Sequence, residues 1–347
     1  MITIYIAMPD ALWVLRRQES VWRGERLLDG MPAQYVAADP LRPEIVCCGT
    51  FGSGLWRSID AGTTWRQIGE DAFRSPQITS VAVSGRERTG EHGVIYAGTE
   101  PSALYRSEDG GQTWQELTEM LALPSAPTWS FPPRPYTSHV RAIGLDPSAA
   151  GRLYVAIEAG ALVRSLDGGR TWEDRRPGGP FDTHTLGLPR QLPGCIYSAA
   201  GDGFMRPGQG FVESRDTGDT WERPDDGLEH HYLWGLAVDP GDPETLMVSA
   251  AHSPNQAHNP TAAESVIYRR SGGSAWQRVE AGLPPERGTL GSVLATNEAE
   301  PGVFYAANNR GLHRSADAGR SWVRLETPWP EGRDATRPAS MAVVEEG

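Results

Sequence analysis

VIYAGTEPSALYRSEDGGQTW, residues 94–114, decides the fold. Its runs Val94 to Thr99 and Ala103 to Ser107 carry aliphatic and aromatic residues at strand density. The octapeptide Ser107 to Trp114 then reads as a hairpin tip. Asp109 accepts backbone N–H groups across the turn, Gly110 or Gly111 supplies a positive φ, and Trp114 opens the returning strand and covers the hairpin. These demands account for Ser, Asp, Gly and Trp without invoking a substrate.

The octapeptide returns about once every fifty residues, a period that marks a repeat architecture. The other good copies are SIDAGTTW ending at Trp65, SLDGGRTW at Trp172, SRDTGDTW at Trp221 and SADAGRSW at Trp322. RRSGGSAW, ending at Trp276, keeps only Gly273 and the tryptophan. Asp60, Asp109, Asp167, Asp216 and Asp317 are therefore read as structural. Another strand precedes each hairpin pair: QYVAADP at 34–40, ITSVAVS at 78–84, VRAIGLDP at 140–147, TLGLP at 185–189, LWGLAVDP at 233–240 and LGSVLATN at 290–297. Four antiparallel strands per repeat make one propeller blade. Six units span about 34 to 325. Residues 2–28 supply three more strands and 338–346 the missing innermost one, which predicts an all-β, seven-bladed β-propeller of four-stranded blades whose last blade is closed by both ends of the chain.

The boxes make the chain resemble the BNR or Asp-box propeller family over essentially its whole length. That family includes sialidases and other glycosidases, sortilin-like receptors and photosystem assembly factors, so the resemblance implies the fold and leaves activity open. A sialidase would need an arginine triad, a tyrosine nucleophile paired with a glutamate, an acid/base residue and an R-I-P motif. No R-I-P occurs, and nothing pairs Arg141, Arg287, Arg337, Tyr136 or Tyr232 by spacing, so sialidase activity is not expected.

At 347 residues the chain is expected to form one propeller domain, 1–347. The net charge of −12 argues against nonspecific attraction to nucleic acid or anionic membranes. All 32 basic residues are arginine, which a GC-rich coding bias explains. Three cysteines, two of them adjacent at Cys47 and Cys48, form no disulfide framework. The N-terminal ITIYIAM carries no basic leader or cleavage pattern, giving a cytoplasmic expectation, although a mature secreted form would read the same way.

The topology separates two faces. Loops joining first to second and third to fourth strands, with all the Asp boxes, lie on one; the remaining loops lie on the other, where sialidase-like relatives hold substrate. That second face carries the long loops Thr118 to Ser138, Ala199 to Gly210, Ala250 to Glu264 and Thr327 to Arg337. It also carries His139, His184, His230, His231, His252 and His258.

Aligning the innermost strands places Arg141, His184 and Trp234 at one position, and His139, Asp182 and Tyr232 two residues earlier on the same face. Gln34, Thr79 and Gly291 stand at the first of these positions in other blades, so the asymmetry points to a site over blades three to five. His139, Asp182, His184 and Tyr232 are the catalytic candidates. Arg141, His230, Trp234, Glu100 and Glu158 are candidates for ligand binding. A divalent metal is a candidate cofactor, with His139, His184, His230 and His252 as its nominated ligands. Without a metal, a His oriented by Asp182 would act as general base, Arg141 would hold a carboxylate or phosphate, and Trp234 would stack on a ring. The competing structural account is that these side chains plug the channel or bond backbone carbonyls. His258, in a Pro-, Asn- and Ala-rich loop, is expected to be solvated.

The function expected is binding of a small polar molecule or glycan in a His-rich pocket, with hydrolase or lyase chemistry open to it. The alternative is a noncatalytic platform for a protein partner, with APTWSFPPRPY at 126–136 as docking element or as a rigid lid.

Overall fold

The computed structural model describes residues 1–19, 21–329 and 336–345. Seven antiparallel sheets form a seven-bladed propeller, and the innermost strand of each touches the innermost strand of the next in a closed cycle. Blade 1 orders Ala33–Asp39, Arg42–Thr50, Leu55–Ser58 and Arg66–Ile68; blade 2 orders Ile78–Thr89, His92–Thr99, Leu104–Ser107 and Gln115–Glu116. Blade 5 begins with Tyr232–Val238, and blade 6 with Val293–Ala295. Blade 7 joins Ser340–Glu345 to Ile2–Met8, Ala11–Gln18 and Val21–Leu27, with Ile2 opposite Glu345.

Blades 3 and 4 depart from the four-strand plan. Blade 3 has Val140–Leu145, Leu153–Ile157 and Ala161–Ser165; blade 4 has Thr183–Gly187, Ile196–Ala200 and Phe211–Ser214. Their fourth strands shrink to single bridges, Arg164 with Glu173 and Glu213 with Glu222. In blade 3 the chain turns away because the Asp174 carboxylate takes the N–H of Ser125, at 2.8 Å. In blade 4 Pro224 follows almost at once and has no N–H to offer a ladder. The strand expected at 290–297 also starts late. The N–H groups of Leu290, Gly291 and Ser292 go instead to Asn309 Oδ1, the Ala257 carbonyl and Ser249 Oγ.

Each Asp box is a self-contained bonding unit. In the first, Asp60 Oδ1 accepts from Ser58 Oγ and the Thr64 N–H, both at 2.8 Å, and Oδ2 accepts from Thr64 Oγ1 at 2.6 Å. Gly62 sits at φ 78°, and a Cβ there would lie 2.8 Å from Tyr5 of blade 7, so the tip packs directly on its neighbour. The same ring is built on Asp109, Asp167, Asp216 and Asp317.

An arginine from each of several blades then reaches the next blade's box. Arg16 donates to the Ala61 carbonyl, Arg57 to Gly110, Arg164 to Thr217 and Arg269 to Ala318, at 2.6–2.8 Å. These bonds join blades whose apolar faces already bury Tyr96, Tyr154, Tyr197 and Tyr305 completely. All three cysteines are free and buried, and among the described residues no helix is long and apolar enough to cross a membrane.

Candidate functional site

A backbone irregularity repeated around the ring builds the site. The innermost strands of blades 1 to 4 each carry one unpaired extra residue: Gln34, Thr79, Arg141 and His184. Blade 5 shows the same shift across Trp234 and Gly235. A bulge re-aims the side chain it carries. Gln34, Thr79, Arg141 and Trp234 accordingly line a cavity of about 460 Å³ at the channel mouth. His184, buried beneath it, packs on Trp234 with ring centroids 4.6 Å apart.

The residues two positions earlier form a second tier. His139, Asp182, Tyr232 and Arg337 all line the cavity. His139 Nε2 is 2.9 Å from Glu158 Oε2, and its Nδ1 is 3.6 Å from Glu100 Oε2. Arg134, from the long loop of 118–138, grips Glu100 through two bonds of 2.7 and 2.5 Å, while Phe131 of that loop packs edge-on against His139. The loop therefore covers one side of the mouth as a lid, with Tyr136 left 84% exposed at its tip. Of the expected long loop at 327–337, residues 330–335 lie outside the described residues.

Blade 4 differs from blades 2 and 3 in a way that shapes the site. Where the second strands of those blades are followed by Glu100 and Glu158, that of blade 4 is followed by Gly201. A Cβ at Gly201 would stand 2.1 Å from Asp182 Oδ2 and 2.9 Å from His184 Cε1, so the missing side chain makes room for both. Asp182 is then fixed by the Ala159 N–H on Oδ1, at 2.8 Å, and by its own N–H to Asp202. His184 Nδ1 donates to the Leu233 carbonyl at 2.6 Å, which turns Nε2 toward Asp182 and Glu158.

Burial and charge set the protonation states. Burial opposes ionisation of Glu158, yet the His139 hydrogen bond, the neighbouring imidazoles and the Arg141 guanidinium hold its carboxyl well below the usual range. Burial pushes the Tyr232 phenol far up, and it pushes His258 down to about 2 with help from Arg337. Burial and the Arg141 charge lower Arg337 to about 10.

Several expectations change here. His258 is not solvated: its Nε2 is 2.7 Å from the Tyr232 hydroxyl and its ring lies against Trp234. Tyr232 has His258 as its partner rather than a glutamate, and a phenol that keeps its proton suits hydrogen bonding better than nucleophilic attack. His230 and His252 do not join the cluster. His230 bonds Tyr268 and Glu286, at 2.7 and 3.1 Å, and stacks on an exposed His252. Adjacent His231 gives its Nδ1 to the Gly208 N–H. Among the described residues, the group able to hold a metal is Glu158, Asp182 and His184, of which only His184 was nominated as a ligand. The inward tier around Arg337 follows from its place two residues before Ala339, but the lid contact of Arg134 had no sequence signal.

Residues 105–116 match the family model of the BNR/Asp-box repeat. No curated protein matches the chain. An ancestral GH74 enzyme superposes with a TM-score of 0.63 at 16% identity, covering 93% of this chain, which spans only 40% of that enzyme. YCF48 bound to D1 peptide superposes at 0.57 and 17% identity, covering 93% of this chain and 85% of that one. YCF48 from Cyanidioschyzon merolae gives 0.58 at 13% identity, covering 85% of each. At these identities the likeness shows the propeller fold alone.

Proposed function

We propose that this chain, a BNR/Asp-box repeat propeller, binds a small polar ligand with an anionic group at its channel mouth. One observation carries the reading: Arg141 Nε, whose nearest carboxylate is Glu158 at 3.6 Å, and Arg337 Nη1 are buried beside Trp234 without a hydrogen-bond acceptor among the described residues. Leaving such a donor unsatisfied costs about 1–3 kcal/mol. A carboxylate or phosphate placed between the two guanidinium groups would supply the acceptors, and the Trp234 face suits a sugar or aromatic ring. A sugar acid meets both demands. If the ligand is turned over by hydrolysis or elimination, His139, oriented by Glu158, is the general base in this reading.

Thermal shift and calorimetry with sugar acids, phosphosugars and neutral sugars test the proposal. The anionic compounds should raise Tm of the native protein and lose that effect in Arg141→Gln and Arg337→Gln. Equal stabilisation of both variants would remove the arginines from the binding site.

A second reading rests on the rim. Tyr136 and Met205 are 84% and 78% exposed on loops of the mouth face, which also carry the exposed Phe181 and Phe204. YCF48, similar in fold, has been solved with a peptide. This supports docking of a protein segment across the rim, which a Tyr136→Ser, Met205→Ser double variant should weaken without touching small-anion binding.

A further inference from the structure

We infer that Glu158, Asp182 and His184 form a binding site for one divalent transition-metal ion beneath the anion-binding arginines. This rests on the same cavity as the ligand reading but on different residues. The donor atoms of the three side chains lie within 4.8 Å of one another. His184 Nε2 stands 3.6 Å from Asp182 Oδ1 and 3.9 Å from Glu158 Oε1, too far for direct hydrogen bonds. With metal–ligand bonds of about 2.0–2.2 Å, two atoms on one ion sit at most about 4.4 Å apart, so both spacings are within reach of a shared cation.

The surroundings are those of ligands held for a metal. A carbonyl can only accept, so the bond to Leu233 places the proton on His184 Nδ1 and leaves Nε2 as the nitrogen facing the carboxylates. His139 binds Glu158 Oε2 at 2.9 Å and leaves Oε1 on the His184 side. The Ala159 N–H and the Gly201 gap fix Asp182. One imidazole and two carboxylates suit manganese, iron or zinc more than calcium or magnesium. Three protein ligands leave further positions open toward the cavity, where a hydroxyl or carboxylate of an arginine-bound ligand would reach the ion.

The test uses the whole chain, purified without a tag, stripped with a chelator and titrated with Mn²⁺, Zn²⁺ and Co²⁺ by calorimetry. One equivalent should bind, with Co²⁺ giving a d–d absorption band. Asp182→Asn and His184→Gln should abolish binding and the band while retaining the far-UV spectrum of a folded propeller, and His139→Gln should weaken affinity about 10–100-fold. Absence of saturable binding to the native protein would overturn the inference, as would unchanged binding in folded Asp182→Asn or His184→Gln. Arginine-dependent binding of sugar acids by a protein that takes no metal would overturn this site and leave the ligand reading standing. Metal binding without any sugar-acid or phosphosugar response would support the site and count against that reading.

Discussion

The Tyr232 hydroxyl meets His258 Nε2 at 2.7 Å, tying the first residue of blade 5's innermost strand to a short helix, Pro254–His258, in the same blade. Ser253 caps that helix by accepting the Gln256 N–H, so the imidazole arrives on a fixed stem. Burial keeps the phenol protonated and the imidazole neutral. The pair is thus a neutral hydrogen-bonded wall of the cavity beside Trp234.

Replacing Tyr232 by Phe would leave His258 facing the gap. The expected cost is about 1–3 kcal/mol in urea unfolding, with the fold retained. A loss below 0.5 kcal/mol, to use a rough threshold, would show that water replaces the hydroxyl.

Acid should weaken the protein in two stages. Burial pushes His258 down to about 2 and His313 to about 4, whereas in the unfolded chain both protonate near about 6.5. Below that pH unfolding takes up protons, so stability declines as pH falls. Asp60 and Asp216 are held down to about 2, chiefly by the hydroxyls of Thr64 and Thr220. Their contribution is complete above about pH 4 and is lost between about 4 and 2. Urea midpoints measured from pH 8 to 3 should fall below about 6.5 and more steeply below about 4; a flat profile from 8 to 5 would contradict neutral, buried histidines.

Asp109→Ala removes the acceptor of Ser107 Oγ, Thr113 Oγ1 and the Gln112 and Thr113 N–H groups on the face opposite the cavity. Because Asp109 is only partly buried and its partners Gln112 and Thr113 are exposed, the loss should be about 1–2 kcal/mol. Metal and ligand titrations should be unchanged. A changed affinity with unchanged stability would mean that the two faces communicate.

Gly201→Ala puts a methyl where Asp182 and His184 need space. Asp182 must move, so metal binding should disappear while the Asp-box side of blade 4 stays intact. Retained metal binding at native affinity would show that the backbone gives way more cheaply than the carboxylate.

The fold was legible because the demands of the Asp-box turn are local: Ser107, Asp109, Gly111 and Trp114 satisfy one another within eight residues. The inward tiers were legible as an alignment, since one bulge position recurs from Gln34 to Trp234. What escaped depends on contacts between distant segments. His258 looks solvated in its polar loop until Tyr232 and Trp234 close over it. His230 aligns near the mouth but is drawn off by Tyr268 and Glu286, 38 and 56 residues away. The room provided by Gly201 is a property of three dimensions that no spacing displays.

Blade 7 imposes an order on synthesis. Ile2 to Ala7 are synthesised long before their inner partner, Ser340 to Glu345. Until that segment is made, the nascent chain carries an unpaired strand edge, and such edges invite intermolecular pairing. Final closure is then a long-range event that lengthens the interval in which a chaperone can engage the protein.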